Sequence, residues 1–328
     1  MAITLAEAKV GMADPIDQQV VDMFQRSSLL LDRITFDNMI SPGTGGSTLA
    51  YGYTQLLTPS TAGVRAINTE YKANEAKRTT KTTNAIIMGG SFSIDRVIQN
   101  TSGAIDEMAF QAEQKIKAAS NLFHNCVING SSASSGTGYT TGTFDGLRKL
   151  LSGSSTVVSS ETDISTAAMM DANANAFLDE LDTFLSLIDG TPSMLMMNRK
   201  MLAKIRAVAR RAGYYERTKD DFGRFVETYN GIPLLDMGQF YDGSKTVDIV
   251  ADEDGTSSIY AVELGLDAFH GISPTGTGVI SSYMPDMTEP GAVKTGEVEL
   301  VAGVALKNTL KAGALTGIKT SVAVEAAA

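Results

Sequence analysis

The sequence is poor in the residues that usually carry chemistry. It has one cysteine, Cys126, two histidines, His124 and His270, and no tryptophan. A single cysteine excludes an intramolecular disulfide framework and a cysteine-only zinc site. Two histidines leave little for proton transfer or metal binding. No window reaches the roughly 18 consecutive apolar residues of a membrane-spanning helix. Two long uncharged stretches, 40–64 and 118–144, are rich in Gly, Ser and Thr and read as strands and loops. The first 14 residues lack a basic stretch followed by an apolar block, so they do not read as a secretory signal, and cytoplasmic synthesis is expected. Positive charge is in the minority, with 27 Lys+Arg against 37 Asp+Glu and a net charge of −10. That balance argues against a surface built throughout to grip nucleic acid.

What is present suits a folded chain. The 328 residues are 43% apolar and 20% charged, enough for a sizeable core in one large domain or two to three average ones. A short helix is predicted from Asp14 and Pro15, with Ile16, Val20, Met23 and Phe24 at helical spacing. Residues 41–99 read as β-type. A turn cluster at 41–47 precedes strand candidates at Ala50–Leu56, Gly63–Ile67 and Ala85–Met88. Between them, Asn68 to Asn84 form a polar tip that cannot bury itself in its own domain. Within 60–82, Arg65, Lys72, Lys77, Arg78 and Lys81 outweigh Glu70 and Glu75, a local balance of +3 against −13 for the remainder. A basic projection on an acidic body is suited to touching a neighbouring copy of that body.

A long helix follows, marked by Ile105, Met108, Ala109, Ala112, Ile116, Ala119, Phe123 and Cys126. Asp106 and Glu107 favour its first turn, and Asn129-Gly130 ends it. About 25 residues give a rod of roughly 37 Å. Ser/Gly/Thr loops follow at 130–143 and 152–162. The second half alternates helix and strand. Phe177, Leu178, Leu181, Phe184, Leu185 and Ile188 mark one helix, closed by Gly190. Pro192–Met197 reads as a buried strand, and Asn198 caps a helix carrying Leu202, Ile205, Val208 and Ala209, closed by Gly213. Asn230-Gly231, flanked by strand residues, is a strong hairpin signal. Further strands are expected at 247–251, 258–262, 279–283, 298–301 and 304–306.

Site motifs fail on inspection. The glycine cluster at 43–48 lacks the Gly-Lys-Ser/Thr of a phosphate loop and precedes a strand. The acidic run Asp252-Glu253-Asp254-Gly255 places Val250 and Ala261 where a calcium loop needs ligands. His124 and Cys126 lie two apart on a helix and so face different directions. No catalytic, cofactor or metal residues are assigned. Residues 199–219 carry a balance of +7. Arg206, Arg210 and Arg211 there are candidates for subunit or DNA contact, against the alternative of a solvated helix face.

The order of elements, together with Phe24-Gln25-Arg26-Ser27-Ser28-Leu29-Leu30-Leu31, the run from Ser41 to Thr48, the run from Gly90 to Val97 and Tyr229-Asn230-Gly231-Ile232-Pro233-Leu234, resembles the tailed-phage major capsid protein family. Its HK-type fold is shared with encapsulin shells and the herpesvirus capsid floor. The resemblance covers nearly the whole chain. It implies an α+β fold: an N-terminal arm (1–40), an extended β-hairpin loop (41–99), a peripheral domain with a spine helix (100–144), an axial α/β domain (145–265), a return to the peripheral domain (266–320) and a tail (321–328). The extended loop would lie over an adjacent subunit, with Arg65, Lys72, Lys77, Arg78 and Lys81 in the contact. The function implied is self-assembly into an icosahedral virion shell of pentamers and hexamers, built in the host cytoplasm. The shell would enclose double-stranded DNA without sequence-specific binding, with no membrane and no enzymatic step. With about 40 residues before the loop, a separate scaffolding protein and a portal are expected. Some members crosslink a loop lysine to an asparagine with the help of a glutamate. Lys72, Lys77 and Lys81 supply lysines and Asn308 is placed by order, yet no acid follows it before Val324, so no crosslink is expected. An encapsulin-like compartment, an α+β enzyme and a tail or portal component are the alternatives.

Overall fold

The structure is a computed structural model describing residues 30–39, 49–101, 106–133, 139–213, 216–219, 225–252, 254–274 and 279–321. The helix expected at 14–24 and the turn cluster at 41–47 lie outside the described residues. In chain order the elements are α1 (Leu30–Arg33), β1 (Phe36–Asn38), β2 (Ala50–Thr58), β3 (Lys77–Asn84), β4 (Ile86–Asp95), α2 (Arg96–Thr101), α3 (Glu107–Asn129), β5 (Gly130–Ser131), β6 (Thr140–Thr141), α4 (Leu147–Leu150), β7 (Val157–Ser159), α5 (Ala167–Ser186), β8 (Met194–Met197), α6 (Arg199–Arg211), β9 (Glu216–Lys219), β10 (Phe225–Tyr229), β11 (Ile232–Asp236), β12 (Gln239–Tyr241), β13 (Thr246–Asp248), β14 (Thr256–Val262), β15 (Phe269–Ser273), β16 (Ile280–Tyr283), β17 (Val293–Leu306) and β18 (Ala312–Lys319).

Local chemistry sets the helix starts. Asp106 caps α3, its carboxylate accepting from the amides of Met108 and Ala109. Thr166 caps α5, which therefore begins ten residues before the apolar stripe that marks it in the sequence. Asn198 caps α6 through the amide of Met201. The Asn230-Gly231 turn joins β10 to β11 with φ of 50° and 76°, the left-handed pair that this hairpin turn requires.

Two sheets organise the body. A five-stranded sheet runs β1-β15-β17-β16, with β4 pairing β17 over ten residue pairs. α3 lies on one face of it. Even-numbered residues of β17, from Val298 to Leu306, point to that buried side. Gly296 sits opposite Phe92, and a Cβ there would meet the Phe92 ring at 2.4 Å, so the ring covers bare backbone. The second sheet has seven strands, β7-β18-β14-β8-β11-β10-β9. Its strand β8 is buried at all four positions because both faces are covered. Leu195 and Met197 join the core under α5 and α6, whereas Met194 and Met196 join the core shared with α3 and α4.

Several expectations change. The strand expected at 63–67 is absent, and Val64 and Ile67 are exposed. The polar stretch 68–84 divides: 77–84 form β3, whose Thr-rich run pairs with β2 instead of burying apolar groups. Residues 86–95 belong to the five-stranded sheet rather than to the projecting hairpin. The strands expected at 298–301 and 304–306 are one 14-residue strand. β13 stops at Asp248. The loop after α6 contains a strand, β9, pairing β10. The return to the first sheet ends at Leu306, since β18 pairs β14 and β7 of the second sheet.

Candidate functional site

β2 and β3 form a two-stranded ribbon, the arm, that pairs with no other strand among the described residues. Only Tyr53 and Thr83 of its strand residues are buried. Every residue from Leu56 to Arg78 is exposed. Of the five basic residues singled out from the sequence, Arg65, Lys72, Lys77 and Arg78 lie on this exposed part, and Lys81, also exposed, lies nearer the base opposite Tyr53. Arg65 is drawn locally: its guanidinium sits 5.4 Å from the Tyr71 ring centroid and donates to the Thr69 carbonyl at 3.3 Å. Apolar side chains accompany the charge, since Leu56, Leu57 and Tyr71 are each about two-thirds exposed.

The base of the arm is fixed to the body. Tyr53 packs with Met39, Ala85, Ile272 and Ala305. The Tyr51 hydroxyl donates to Asp37 at 2.6 Å, and Gln55 donates to the Lys307 carbonyl at 2.6 Å. The Tyr51 ring meets His270 edge-on at 5.8 Å and carries the Lys307 ammonium 5.4 Å from its centroid. Burial and the Asp37 carboxylate push the Tyr51 phenol up. Burial opposes ionisation of Asp37, yet the Tyr51 hydroxyl, the Asn38 amide and Lys307 hold it below the usual carboxylate range. Burial, with Lys307 beside it, holds His270 below the usual histidine range. Sequence reasoning missed this joint. Its members are dispersed from residue 37 to residue 307 and carry no motif.

The basic helix is partly neutralised within the chain. Arg206 pairs with Glu227, Arg211 with Asp171, and Lys200 with Asp252. Lys204 donates to the carbonyls of Ile164 and Ser165. Arg210 is exposed at the last turn. The structure brings none of Arg206, Arg210 and Arg211 beside the arm's basic residues within one chain.

The residues weighed for chemistry sit in the core. His124 is fully buried, neither ring nitrogen has a hydrogen-bond partner among the described residues, and burial lowers its pKa to about 4. Burial pushes the Cys126 thiol up to about 12. The described residues contain no cluster of three or more His, Cys, Asp or Glu able to hold a metal ion. A cleft of about 320 Å³ beside α3 is lined by Gly89, Lys115, Ala118, Leu122, Phe240 and Tyr241 among others. Another, of about 400 Å³, holds Asp182, which accepts from the Tyr229 hydroxyl at 2.8 Å. No described helix is long and apolar enough to cross a membrane.

Known proteins share this architecture. The SrpI encapsulin of Synechococcus elongatus PCC 7942, in its holo complex, is similar over 97% of each chain, with 14% identity and a TM-score of 0.65. The capsid of Myoviridae phage XM1 is similar over 97% of this chain and 99% of its own, with 14% identity and a TM-score of 0.60. The capsid of a native GTA particle is similar over 96% of this chain and 99% of its own, with 13% identity and a TM-score of 0.59. At such identities the likeness is one of fold. No curated protein matches by sequence. The model of the SU10 major capsid protein family matches residues 13–232, about two-thirds of the sequence, from before the arm through the Asn-Gly hairpin, and the chain therefore belongs to that family.

Proposed function

We propose that this major capsid protein tiles an icosahedral shell as pentamers and hexamers, assembled in the host cytoplasm around double-stranded DNA that it does not bind by sequence. A separate scaffolding protein and a portal complete the arrangement, and the chain performs no chemical step. In this reading the β2–β3 arm supplies the loop that reaches an adjacent subunit, 86–144 with most of 266–320 form the peripheral domain, and 145–265 form the axial domain. Residues 30–39 join the peripheral domain, because Leu30 lies in its core and β1 pairs with β15. Arg65, Lys72, Lys77, Arg78 and Lys81 make the arm contact. Of the three candidates on the basic helix, Arg210 is the one left to reach a neighbour or DNA, because Arg206 and Arg211 have partners in their own chain.

The observation that carries the reading is the arm itself, an ordered ribbon whose outer half is exposed on every residue and rich in both apolar and basic side chains. A hairpin of two strands is marginal alone in water and gains its order from a partner surface. Replacing the five basic residues together by Ala is expected to cut assembly sharply while leaving the melting temperature of the unassembled protein within about 2 °C. Particle yield by electron microscopy and sedimentation reads the first, calorimetry the second. Normal yield would overturn the electrostatic role of the arm. The nucleic acid content of the purified particles separates a DNA-filled shell from a compartment of the encapsulin kind, whose fold is equally similar.

A further inference from the structure

Tyr51 and Tyr53 alternate on β2 and so face one side, where they meet His270 and Ile272, which alternate on β15. β15 is buried at every position, and His270 has no exposed surface. Neither of its ring nitrogens has a hydrogen-bond partner among the described residues. A neutral imidazole suits that place as an aromatic ring set edge-on to Tyr51. An imidazolium does not, because a charge and two N–H groups would lie buried without partners.

The surroundings offer the charged ring little. The charged and titratable groups that face it are Asp37 from β1, Tyr51 from β2 and Lys307 from the end of β17. Lys307 is already a cation over the same Tyr51 ring and opposes the proton. Asp37 favours it, but its carboxylate is engaged by the Tyr51 hydroxyl at 2.6 Å and the Asn38 amide at 2.8 Å. Backbone at Gly265 and Ala268 also favours it without completing a hydrogen bond. With the proton on, two cations and one carboxylate share the joint. The ring then gains a partner only by drawing Asp37 away from Tyr51 or by admitting water between β2 and β15. Either course breaks the tether between Tyr51 and the body.

We infer that His270 is an acid-sensitive latch for the arm: the neutral ring lets the arm's base close on the body, and protonation of the ring frees it. The open form takes up the proton first, so the latch is fully closed above pH 6.5, the ordinary histidine value, and weakens as pH falls below it. Asp37, held below the usual carboxylate range, keeps its charge through that window. Tyr53 in its apolar cluster and Gln55 on the Lys307 carbonyl stay in place, so the arm loosens rather than separates. His124 sits in α3, across the sheet from the joint, so its protonation loosens the body and not the arm's base.

Hydrogen exchange of the unassembled full chain at about pH 7.5 and pH 5.5, corrected for the intrinsic rate at each pH, tests the latch. Amides of β2 and β3 near Tyr51 are expected to exchange roughly five- to tenfold faster at the lower pH, with α3 changed less. His270→Phe keeps an uncharged ring against Tyr51 and is expected to abolish that difference. Lys307→Met removes the cation that opposes the proton and is expected to shrink it, because His270 then titrates nearer its ordinary value. Equal quickening of α3 and the arm overturns the latch, as does a full pH response in His270→Phe or in Lys307→Met. The chain's two histidines also permit a direct check by nuclear magnetic resonance. A His270 signal that titrates below 6.5 is expected, and one that titrates at or above 6.5 overturns the latch whatever the variants do.

Discussion

The long helix and the arm are comparable in extent and opposite in construction. α3 is 23 residues long, and every residue from Phe123 to Ile128 is buried, so its last turns are wrapped on all sides. The arm spends 17 residues on its two strands and buries two of them. α3 satisfies its interior backbone hydrogen bonds by the helix ladder, whereas each strand of the arm is paired along one edge only, through β2–β3. What differs is where side-chain burial comes from. The helix finds it within the chain. The arm has it only at its base, and from Leu56 to Arg78 the described residues supply none. A contact that builds a large assembly can be reversible in this way, because the element that makes it costs the unassembled fold little.

Changes in the body are expected to break stability before assembly. The largest effect falls on Phe123, which is buried completely with Phe36 and Phe144 rings at 6.1 and 6.0 Å. Phe123→Ala is expected to lose about 3–5 kcal/mol of stability, read by chemical denaturation of the unassembled protein. His124 comes next and acts through pH. Its folded pKa is near 4 against an ordinary value of 6.5, so the unfolded chain binds the proton first as pH falls. Its contribution is present in full above pH 6.5 and is lost between about 6.5 and 4, on the order of 3 kcal/mol. His124→Leu is expected to flatten the stability profile across that window, and an unchanged profile would remove His124 as its source. The smallest effect sharpens the contrast at the joint. Tyr51→Phe leaves Asp37 without its hydroxyl donor and is expected to cost about 1 kcal/mol. Hydrogen exchange should quicken in β2 and β3 while α3 keeps its protection. Equal acceleration in both would mean that arm and body open as one unit.

Legibility in the sequence follows the same division. The body's elements announce themselves through period and caps: Asn198 and Asn230-Gly231 stand where the sequence puts them, and Asp106, expected in the first turn of α3, is its cap one residue before it. The arm announces itself through charge and a lack of apolar residues, but its edges do not. Lys77–Asn84 alternates threonine with lysine and asparagine, a pattern shared by strand and loop, and only pairing with β2 decides it. The +7 of residues 199–219 is plain in composition, yet the partners of Arg206, Arg211 and Lys200 lie 21 to 52 residues away in sequence.

A basic projection on an acidic body, a long amphipathic helix, a tight Asn-Gly hairpin and little means of catalysis are all written in the order of residues along the chain. Each depends on residues near one another in the chain, through side-chain caps, left-handed turn positions and periodicity. Folding in three dimensions is what assigns each strand to its sheet, carries the chain from β17 of the first sheet to β18 of the second, and brings Asp37, Tyr51, His270 and Lys307 together at the base of the arm. Those facts depend on register and topology, which bring together residues up to 270 positions apart, and no local pattern encodes them.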